Sequence, residues 1–264
     1  MLLGQPVVPA DSICQNVTRT GSNAGTQCGV PLCAQGHHCH RCSRGGGLKA
    51  RSEDIEQVLA AVHCECGHTV NTQVYVPQWD RWKTHCSRCQ VHSVTWSDAE
   101  APCCRCGGPL VVEREEAILD LEVRSSRVPR FFIDVTVHHS VPGDASRLAA
   151  AARCGGIVNR EAEAEKKRRY PDGLAPWSVI PFAVETYGRL GTAALAHLRA
   201  LARARAQGLP DGGGDVAVTA LLQRWTARLS AALQRSNSRR LGTSLGTVAH
   251  AKRGARELAE GMAG

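Results

Sequence analysis

Two apolar runs determine the fold of this chain, Ala117-Ile-Leu-Asp-Leu-Glu-Val123 and Phe131-Phe-Ile-Asp-Val-Thr-Val137. Both are rich in aliphatic, β-branched and aromatic residues, which is typical of buried strands. A short turn with Ser and Pro separates them. We therefore predict adjacent strands over residues 117–123 and 130–138.

Asp120 lies in the first of these predicted strands and Asp134 in the second, and each is flanked by apolar residues. A buried carboxylate costs free energy unless something pairs with it. Carboxylates that converge from neighbouring strands can share a divalent cation such as Mg²⁺. The alternative is that one acid caps a turn while the other belongs to a structural ion pair.

The surrounding pattern predicts a mixed α/β core. Apolar residues at helical or alternating spacing predict helices over 48–62, 144–169, 190–207 and 216–235, and strands over 69–76 and 177–186. The Gly- and Ala-rich residues 241–264 are expected to form a flexible tail.

The helix predicted over 144–169 brings further reactive groups after the acids. Glu163, Lys166 and Tyr170 are spaced i, i+3 and i+7, which puts them on one helix face. If that face looks at the two acids, Lys166 can orient or activate a water, and Tyr170 can help hold a phosphate. Two acids and a lysine around a cation are typical of phosphodiester cleavage. The basic run Lys166–Arg169 is alternatively a solvated helix end or a nuclear-localisation-like signal.

Cysteine placement indicates zinc. Twelve of the 13 cysteines lie between Cys14 and Cys106, together with seven of the 11 histidines. A secreted disulfide scaffold would be shorter and would not interleave so many histidines. We therefore expect structural zinc sites in an intracellular protein.

The clearest zinc pattern lies in the Cys-rich, turn-rich segment 83–110. The pairs Cys86-x2-Cys89 and Cys103-x2-Cys106 can supply a tetrahedral shell of four sulfurs. The neighbouring Cys104, His85 and His92 are close enough in sequence to replace one of the four ligands.

Residues 1–47 read as loops and contain a second candidate zinc set, Cys14, Cys28, His38 and Cys42. Spacing alone leaves the ligands ambiguous, since Cys33, His37, Cys39 and His40 lie among them. The pattern Cys64-x-Cys66-x-His68 is a weaker signal, and buried thiols are the favoured interpretation there.

The charge distribution favours a polyanionic partner. The 264-residue chain has a formal net charge of +8, and residues 160–264 hold 17 Lys and Arg against 9 Asp and Glu. DNA is a natural partner for such a basic region, although a solvated helical surface has the same composition. The sequence has no apolar run approaching the ~18–20 residues of a membrane span, so we expect no membrane partner.

These residues resemble the restriction-like endonuclease domain of site-specific non-LTR retrotransposon proteins, a family with the PD-(D/E)XK nuclease fold. Its pattern is an acid, twelve to fourteen residues, a second acid, and a lysine displaced to the following helix with a tyrosine beyond. Asp120 and Asp134 are separated by thirteen residues, and Thr136 stands where ordinary members of the fold carry the lysine. The resemblance therefore points to Lys166 as the displaced lysine. Leu119 precedes the first acid in place of the usual proline.

The resemblance extends from about residue 1 to about residue 240. It selects Cys14, Cys28, His38 and Cys42 as an N-terminal zinc knuckle, followed by Gly45-Gly-Gly47. The segments Val76–Asp80 and Pro181–Gly188 are also similar to such proteins. The implied organisation is a knuckle over 1–47, an α/β nuclease domain over 48–240 with a zinc-ribbon-like insertion over 83–110, and a tail over 241–264.

For function, the resemblance implies a metal-dependent endonuclease that nicks one DNA strand and leaves a 3′-hydroxyl to prime reverse transcription. Asp120, Asp134 and the Val135 carbonyl would hold Mg²⁺ or Mn²⁺, Lys166 would position the water, and Tyr170 and Glu163 would support it. Glu185 is either an outer member of the site or a core-edge acid. The implied partners are duplex DNA and an element RNA or a reverse-transcriptase domain, in the nucleus. The competing hypothesis is a catalytically inactive, zinc-stabilised DNA-binding derivative.

Overall fold

The structure is a computed structural model that describes residues 6–86, 88–89, 92–95, 106–126, 128–209 and 213–247. The helices are α1 His37–Arg41, α2 Gly47–Glu65, α3 Ala145–Arg153, α4 Ile157–Arg169, α5 Thr192–Gln207 and α6 Gly214–Ser244. The strands are β1 Thr69–Tyr75, β2 Arg81–Cys86, β3 His92–Thr95, β4 Leu110–Glu115, β5 Ile118–Arg124, β6 Phe131–His138 and β7 Ser178–Glu185. None of the helices in these ranges is long and apolar enough to cross a membrane.

The larger sheet has the strand order β1-β5-β6-β7. β5 pairs antiparallel with both β1 and β6, while β6 and β7 run parallel. A parallel pair needs a long crossover, and α3 and α4 form it between β6 and β7. The predicted mixed sheet flanked by helices is thus confirmed, and its four strands lie where the apolar runs place them.

Each face of this sheet is covered by its own set of side chains. On one face, α2 and α5 pack against the strands and α6 packs against α2 and α5, with Ile55, Leu198 and Trp225 fully buried in the same cluster as Ile133 and Phe182. The other face holds a smaller cluster that includes Trp79, Phe132 and Tyr170. Burial of this apolar surface is the main force that fixes the helices on the sheet.

The helix predicted over 144–169 is in fact two helices, so that prediction was wrong in its middle. α3 ends at Arg153, and α4 begins at Ile157 after Gly156, whose φ of 79° lies in the left-handed region. Glycine adopts this conformation without steric cost, which allows the chain to turn between the helices. The break lets α4 lie against β6 and β7 independently of α3.

The tail predicted over 241–264 begins too early. α6 continues to Ser244, which is completely buried. Its hydroxyl accepts a hydrogen bond from Asn16 Nδ2 at 2.9 Å, and its carbonyl accepts one from Gln15 N at 2.8 Å. These contacts with the N-terminal segment hold the last helical turn in place. Residues 248–264 lie outside the described residues.

The segment predicted to be Cys-rich and turn-rich over 83–110 contributes to a second sheet. Its three strands have the order β3-β2-β4 and are antiparallel. Closely spaced cysteines and turn residues obscured these short strands in the sequence. The buried carboxylate of Asp80 connects this sheet to the core. It accepts hydrogen bonds from Arg114 Nε at 2.9 Å, Tyr75 Oη at 2.7 Å and Ala117 N at 2.8 Å.

We expect Asp80→Ala to destabilise the protein by about 2–4 kcal/mol, because it leaves a buried backbone N–H and a tyrosine hydroxyl without their acceptor. Urea unfolding compared with the wild type measures this change. Asp172→Ala, at an exposed aspartate, is the matched control and should change stability by less than about 0.5 kcal/mol. Equal stability of the two variants would contradict the anchoring role of Asp80.

Candidate functional site

Asp120 of β5 and Asp134 of β6 lie at the point where the backbone pairing between these two strands ends. The paired residues are Val123 with Phe131, Glu122 with Phe132, and Leu121 with Ile133. Continued by one position, this register sets Asp120 opposite Asp134. The backbone ladder stops there, and Asp120 Oδ2 accepts the hydrogen bond of Val135 N at 2.6 Å. A carboxylate thus replaces the strand partner and brings the two acids side by side.

Lys166 joins the acids from α4. Its ammonium lies 3.0 Å from Asp134 Oδ1 and 2.9 Å from Asp134 Oδ2. Asp134 is buried, with 5% of its surface exposed, and Lys166 is about a quarter exposed. Tyr170, at the end of the same helix, also contacts Asp134, and burial and this carboxylate raise the pKa of the tyrosine hydroxyl. The structure therefore brings Asp120, Asp134, Lys166 and Tyr170 together.

A third acid, which sequence reasoning missed, completes the cluster. Glu56 on α2 is buried and lies close enough to Asp120 for a carboxyl–carboxyl hydrogen bond. The Gln73 side-chain amide links the two acids, donating to Glu56 Oε2 at 3.1 Å and to Asp120 Oδ1 at 3.2 Å. One sequence feature hinted that Glu56 is buried: it directly follows Ile55 and precedes Leu59 by three residues, at the edge of the apolar stripe of α2.

The proximity of these acids determines their protonation. Burial, followed by repulsion from Asp134 and Glu56, raises the pKa of Asp120 to about 8. The pKa of Glu56 is also raised, mainly by burial. Like charges this close cannot all ionise without a compensating cation. Lys166 offsets only part of this negative charge, with its ammonium 2.9 Å from Asp134 Oδ2. This oxygen and its carboxylate neighbours fit a hard divalent cation.

The pKa of Asp120 predicts a pH-dependent affinity for Mn²⁺. Below pH 8 the cation must displace a proton from Asp120, so affinity should rise roughly tenfold per pH unit between pH 6 and pH 8, then level off. Electron paramagnetic resonance of Mn²⁺ with zinc-loaded protein measures this. Asp120→Asn should bind more weakly and show a flatter profile. Equal wild-type affinity at pH 6 and pH 8 would contradict the prediction.

Two other predicted acids lie in different surroundings. Glu163 accepts a hydrogen bond from Ala193 N at 2.9 Å, so its carboxylate caps the beginning of α5. This contact satisfies one of the free N–H groups at the beginning of α5, and no hydrogen bond between Glu163 and the acid cluster is found among the described residues. Glu185, at the end of β7, lies 3.8 Å from the guanidinium of Arg189. This contact agrees with the core-edge interpretation.

The four predicted ligands of the N-terminal knuckle meet in space. Cys14 and Cys28 lie on a short two-stranded ribbon, in which Cys28 N donates to Asn16 O at 2.8 Å. His38 lies in α1, and Cys42 caps the end of that helix. All four ligand atoms lie within 4.8 Å of one another.

The distances in this knuckle suit zinc. The sulfurs of Cys14 and Cys42 are 3.8 Å apart, and Cys28 Sγ is 3.4 Å from His38 Nε2. A tetrahedral shell with Zn–S bonds of about 2.3 Å requires about 3.8 Å between sulfurs. The cluster can therefore hold structural zinc with little rearrangement.

The end of α6 supports the knuckle. The buried Arg240 donates from Nη2 to Cys39 O at 2.7 Å and to Cys42 O at 3.0 Å. With the contacts of Ser244, this guanidinium connects the ligand loop to the α/β core. Residues 6–47 therefore pack against α6, and through this helix the knuckle is connected to the core.

Three of the four predicted ligands of the second zinc module also converge. Cys86, Cys89 and Cys106 have ligand atoms within 4.8 Å of one another. Backbone hydrogen bonds, first from Cys89, lower the pKa of the Cys86 thiol to about 6, which favours the thiolate that zinc binds. Cys103 and the possible substitute Cys104 lie outside the described residues, so the fourth ligand stays a prediction.

The weaker Cys64-x-Cys66-x-His68 pattern forms no metal cluster among the residues described. Cys64 is exposed and Cys66 is half-buried. His68 instead joins a row of histidines, with Nδ1 3.0 Å from His63 Nδ1, while His63 Nε2 lies 3.1 Å from His197 Nε2. Burial lowers the pKa of His63 to about 3, so the row is neutral and belongs to the core.

No protein-family model matches the chain, and no curated protein matches it significantly. Any function assigned to the chain therefore rests on its own residues: an acid cluster with a paired lysine beside a mixed sheet, and two cysteine-rich clusters.

Proposed function

We propose that this protein is a metal-dependent DNA endonuclease that nicks one strand and leaves a 3′-hydroxyl, as in target-primed retrotransposition. The observation that carries the proposal is the meeting of Asp120, Asp134 and Lys166 where β5 and β6 separate. The acids lie on adjacent strands, and the lysine lies on α4, the second of the two helices that follow them. This is the arrangement expected of the displaced-lysine nucleases that the sequence resembles.

The acid cluster is suited to hold a divalent cation. Asp120 and Asp134, with the Val135 carbonyl, are the proposed ligands, and Glu56 is a third carboxylate in reach of Asp120. A bound Mg²⁺ or Mn²⁺ would neutralise charge on the scissile phosphate. Deprotonated Asp120 and Asp134 would fix the cation at the edge of the sheet. The described contacts favour these acids over Glu163, which caps α5.

Lys166 is the proposed group that acts on the attacking water. Its ammonium is a mobile donor held within 3.0 Å of Asp134, so a small side-chain movement can bring it to a water or a phosphate oxygen. Lys166 would orient the water and offset developing negative charge in the transition state. Tyr170 stays protonated, because its pKa is raised, and can donate a hydrogen bond.

The DNA-binding part of the proposal rests on the zinc clusters and the basic helices. Lys167 and Arg168 extend from α4 as exposed cations next to Lys166. Phosphate contacts from such side chains give affinity and position without sequence preference. Duplex DNA is the proposed partner, with element RNA or a reverse-transcriptase domain as a further one. The nucleus is the proposed location that fits a DNA target.

One observation favours the alternative, an inactive zinc-stabilised DNA-binding derivative. Lys166 pairs with both oxygens of Asp134, so the lysine ammonium already neutralises this buried carboxylate and no metal ion is needed for that. A structural ion pair would look the same. The alternative predicts DNA binding that is insensitive to divalent cations and no cleavage.

A plasmid-nicking assay distinguishes the two. Zinc-loaded protein is incubated with supercoiled plasmid in Mg²⁺, in Mn²⁺, or without added divalent cation. The nuclease proposal expects open-circular product only with the cation, and expects a DNA polymerase to extend the nick directly from its 3′-hydroxyl. Product that needs a phosphatase before extension would refute the proposed end chemistry.

A further inference from the structure

A basic cavity of about 400 Å³ lies beside the acid cluster. Val135, Thr136 and Val137 of β6 form one wall, directly after Asp134, and Leu48, Lys49, Arg51 and Ser52 of α2 form another. Arg41, Lys49 and Arg51 line it with positive charge. No acidic side chain of the described residues lines it.

Arg51 is the central feature of this cavity. Only 1% of its surface is exposed. Nη2 donates to Val137 O at 3.1 Å, whereas Nε and Nη1 are buried without a hydrogen-bond partner in the described part of the chain. Burial, followed by repulsion from Arg240, lowers the pKa of Arg51 to about 10, so it remains charged at neutral pH. A buried guanidinium with two unused donors and no counter-ion is strongly unfavourable unless an anion binds.

The other cations lie at the mouth of the cavity. Arg41 and Lys49 are exposed, and the ammonium of Lys49 is only loosely paired with Glu53 at 3.9 Å. The free Nε and Nη1 of Arg51 point in different directions, so each can donate one charge-assisted hydrogen bond to a phosphate oxygen. The combination of one buried and two exposed cations suits a phosphate group that enters from solvent.

We propose that this cavity binds a backbone phosphate of the DNA strand being cut, a short distance from the scissile bond. The inference rests on the proposed endonuclease function. A strand advances about 3.3 Å per residue, so Val137, whose carbonyl holds Arg51, lies about 10 Å along β6 from Asp134. One strand can therefore present one phosphate to the acid cluster and a neighbouring one to Arg51. The second contact would fix the register of the strand at the acids.

The salt dependence of DNA binding tests this contact without any cleavage. Fluorescence anisotropy of a short labelled duplex with zinc-loaded protein, without Mg²⁺, gives log K against log salt concentration. Loss of one phosphate contact lowers the magnitude of this slope by about 0.9. We expect that change in Arg51→Gln and in Arg41→Gln/Lys49→Gln. The triple variant should show about the same single loss, since all three residues serve one phosphate.

Arg199→Gln, at an exposed arginine of α5 that does not line the cavity, is the matched control. The double variant at the cavity mouth keeps the test decisive if Arg51→Gln fails to fold. Unchanged slopes in folded cavity variants, or an equal loss in Arg199→Gln, would overturn the proposal. A third result would also overturn it: millimolar inorganic phosphate raises the melting temperature of the wild type but not of Arg51→Gln, while the salt slopes of the two proteins are equal. The cavity would then bind free phosphate and not a DNA phosphate. A wild type that binds DNA but never nicks refutes the endonuclease and leaves these slopes measurable.

Discussion

Lys166→Ala is expected to nick supercoiled plasmid about 10²- to 10³-fold more slowly than the wild type, the usual cost of removing one group that stabilises transition-state charge. The ammonium of Lys166 contacts Asp134, and the proposal makes it the group that orients the attacking water. Without the lysine, Asp134 loses a competitor for the cation. Mn²⁺ affinity should therefore stay equal or increase while the nicking rate falls.

Lys167→Ala is the matched control, because it removes the adjacent exposed lysine from the same helix end. Its nicking rate should remain within about threefold of the wild type, with a small decrease in DNA affinity. Single-turnover rates at saturating Mg²⁺ separate the two effects. Equal rates for the two variants would remove Lys166 from the chemistry. A parallel loss of Mn²⁺ binding in Lys166→Ala would indicate a structural ion pair instead.

The second large effect is expected at the N-terminal knuckle. Cys42→Ser should lower the zinc content by about one ion per chain and the melting temperature by about 10 °C, because metal-binding free energy contributes directly to folding. Cys42 lies 3.8 Å from Cys14 in the four-ligand cluster, and its carbonyl binds Arg240 of α6. Loss of the ion should therefore loosen both residues 6–47 and the end of α6.

Elemental analysis by mass spectrometry and differential scanning fluorimetry measure these two changes. Cys64→Ser is the control, since Cys64 is exposed and belongs to neither metal cluster of the described residues. It should keep the full zinc content and melt within about 1–2 °C of the wild type. Undiminished zinc in Cys42→Ser would show that the knuckle cluster is not a metal site.

The sequence predicts β5, β6 and β7 of the larger sheet well because these strands are largely buried apolar runs. β5 and β6 combine aliphatic and β-branched residues with few acids, Asp120 and Glu122 in β5 and Asp134 in β6, and both faces of the sheet are covered. The thirteen residues between Asp120 and Asp134 fit a turn that sets the acids at opposite positions of the register. Strand composition and spacing thus suffice to bring this pair of acids together.

Contacts between distant segments could not be predicted in this way. Glu56 approaches Asp120 only because α2 packs across the sheet, and its place at the edge of an apolar stripe does not by itself distinguish a buried acid from a solvated one. Glu163 shares a helix face with Lys166, yet its carboxylate accepts a hydrogen bond from Ala193 N at the beginning of α5. The choice among Cys and His residues near the N-terminus likewise depended on resemblance, since spacing left several ligands open.

The most direct test of the nuclease proposal compares wild type and Asp134→Asn for binding and nicking of the same plasmid. The substitution keeps the shape of the side chain but removes the charge that Lys166 and a cation would use. The proposal predicts similar DNA affinity for both proteins, Mg²⁺-dependent nicking by the wild type, and a rate at least about 10³-fold lower for the variant. Binding without nicking by the wild type in both Mg²⁺ and Mn²⁺, or equal nicking by the two proteins, would contradict it.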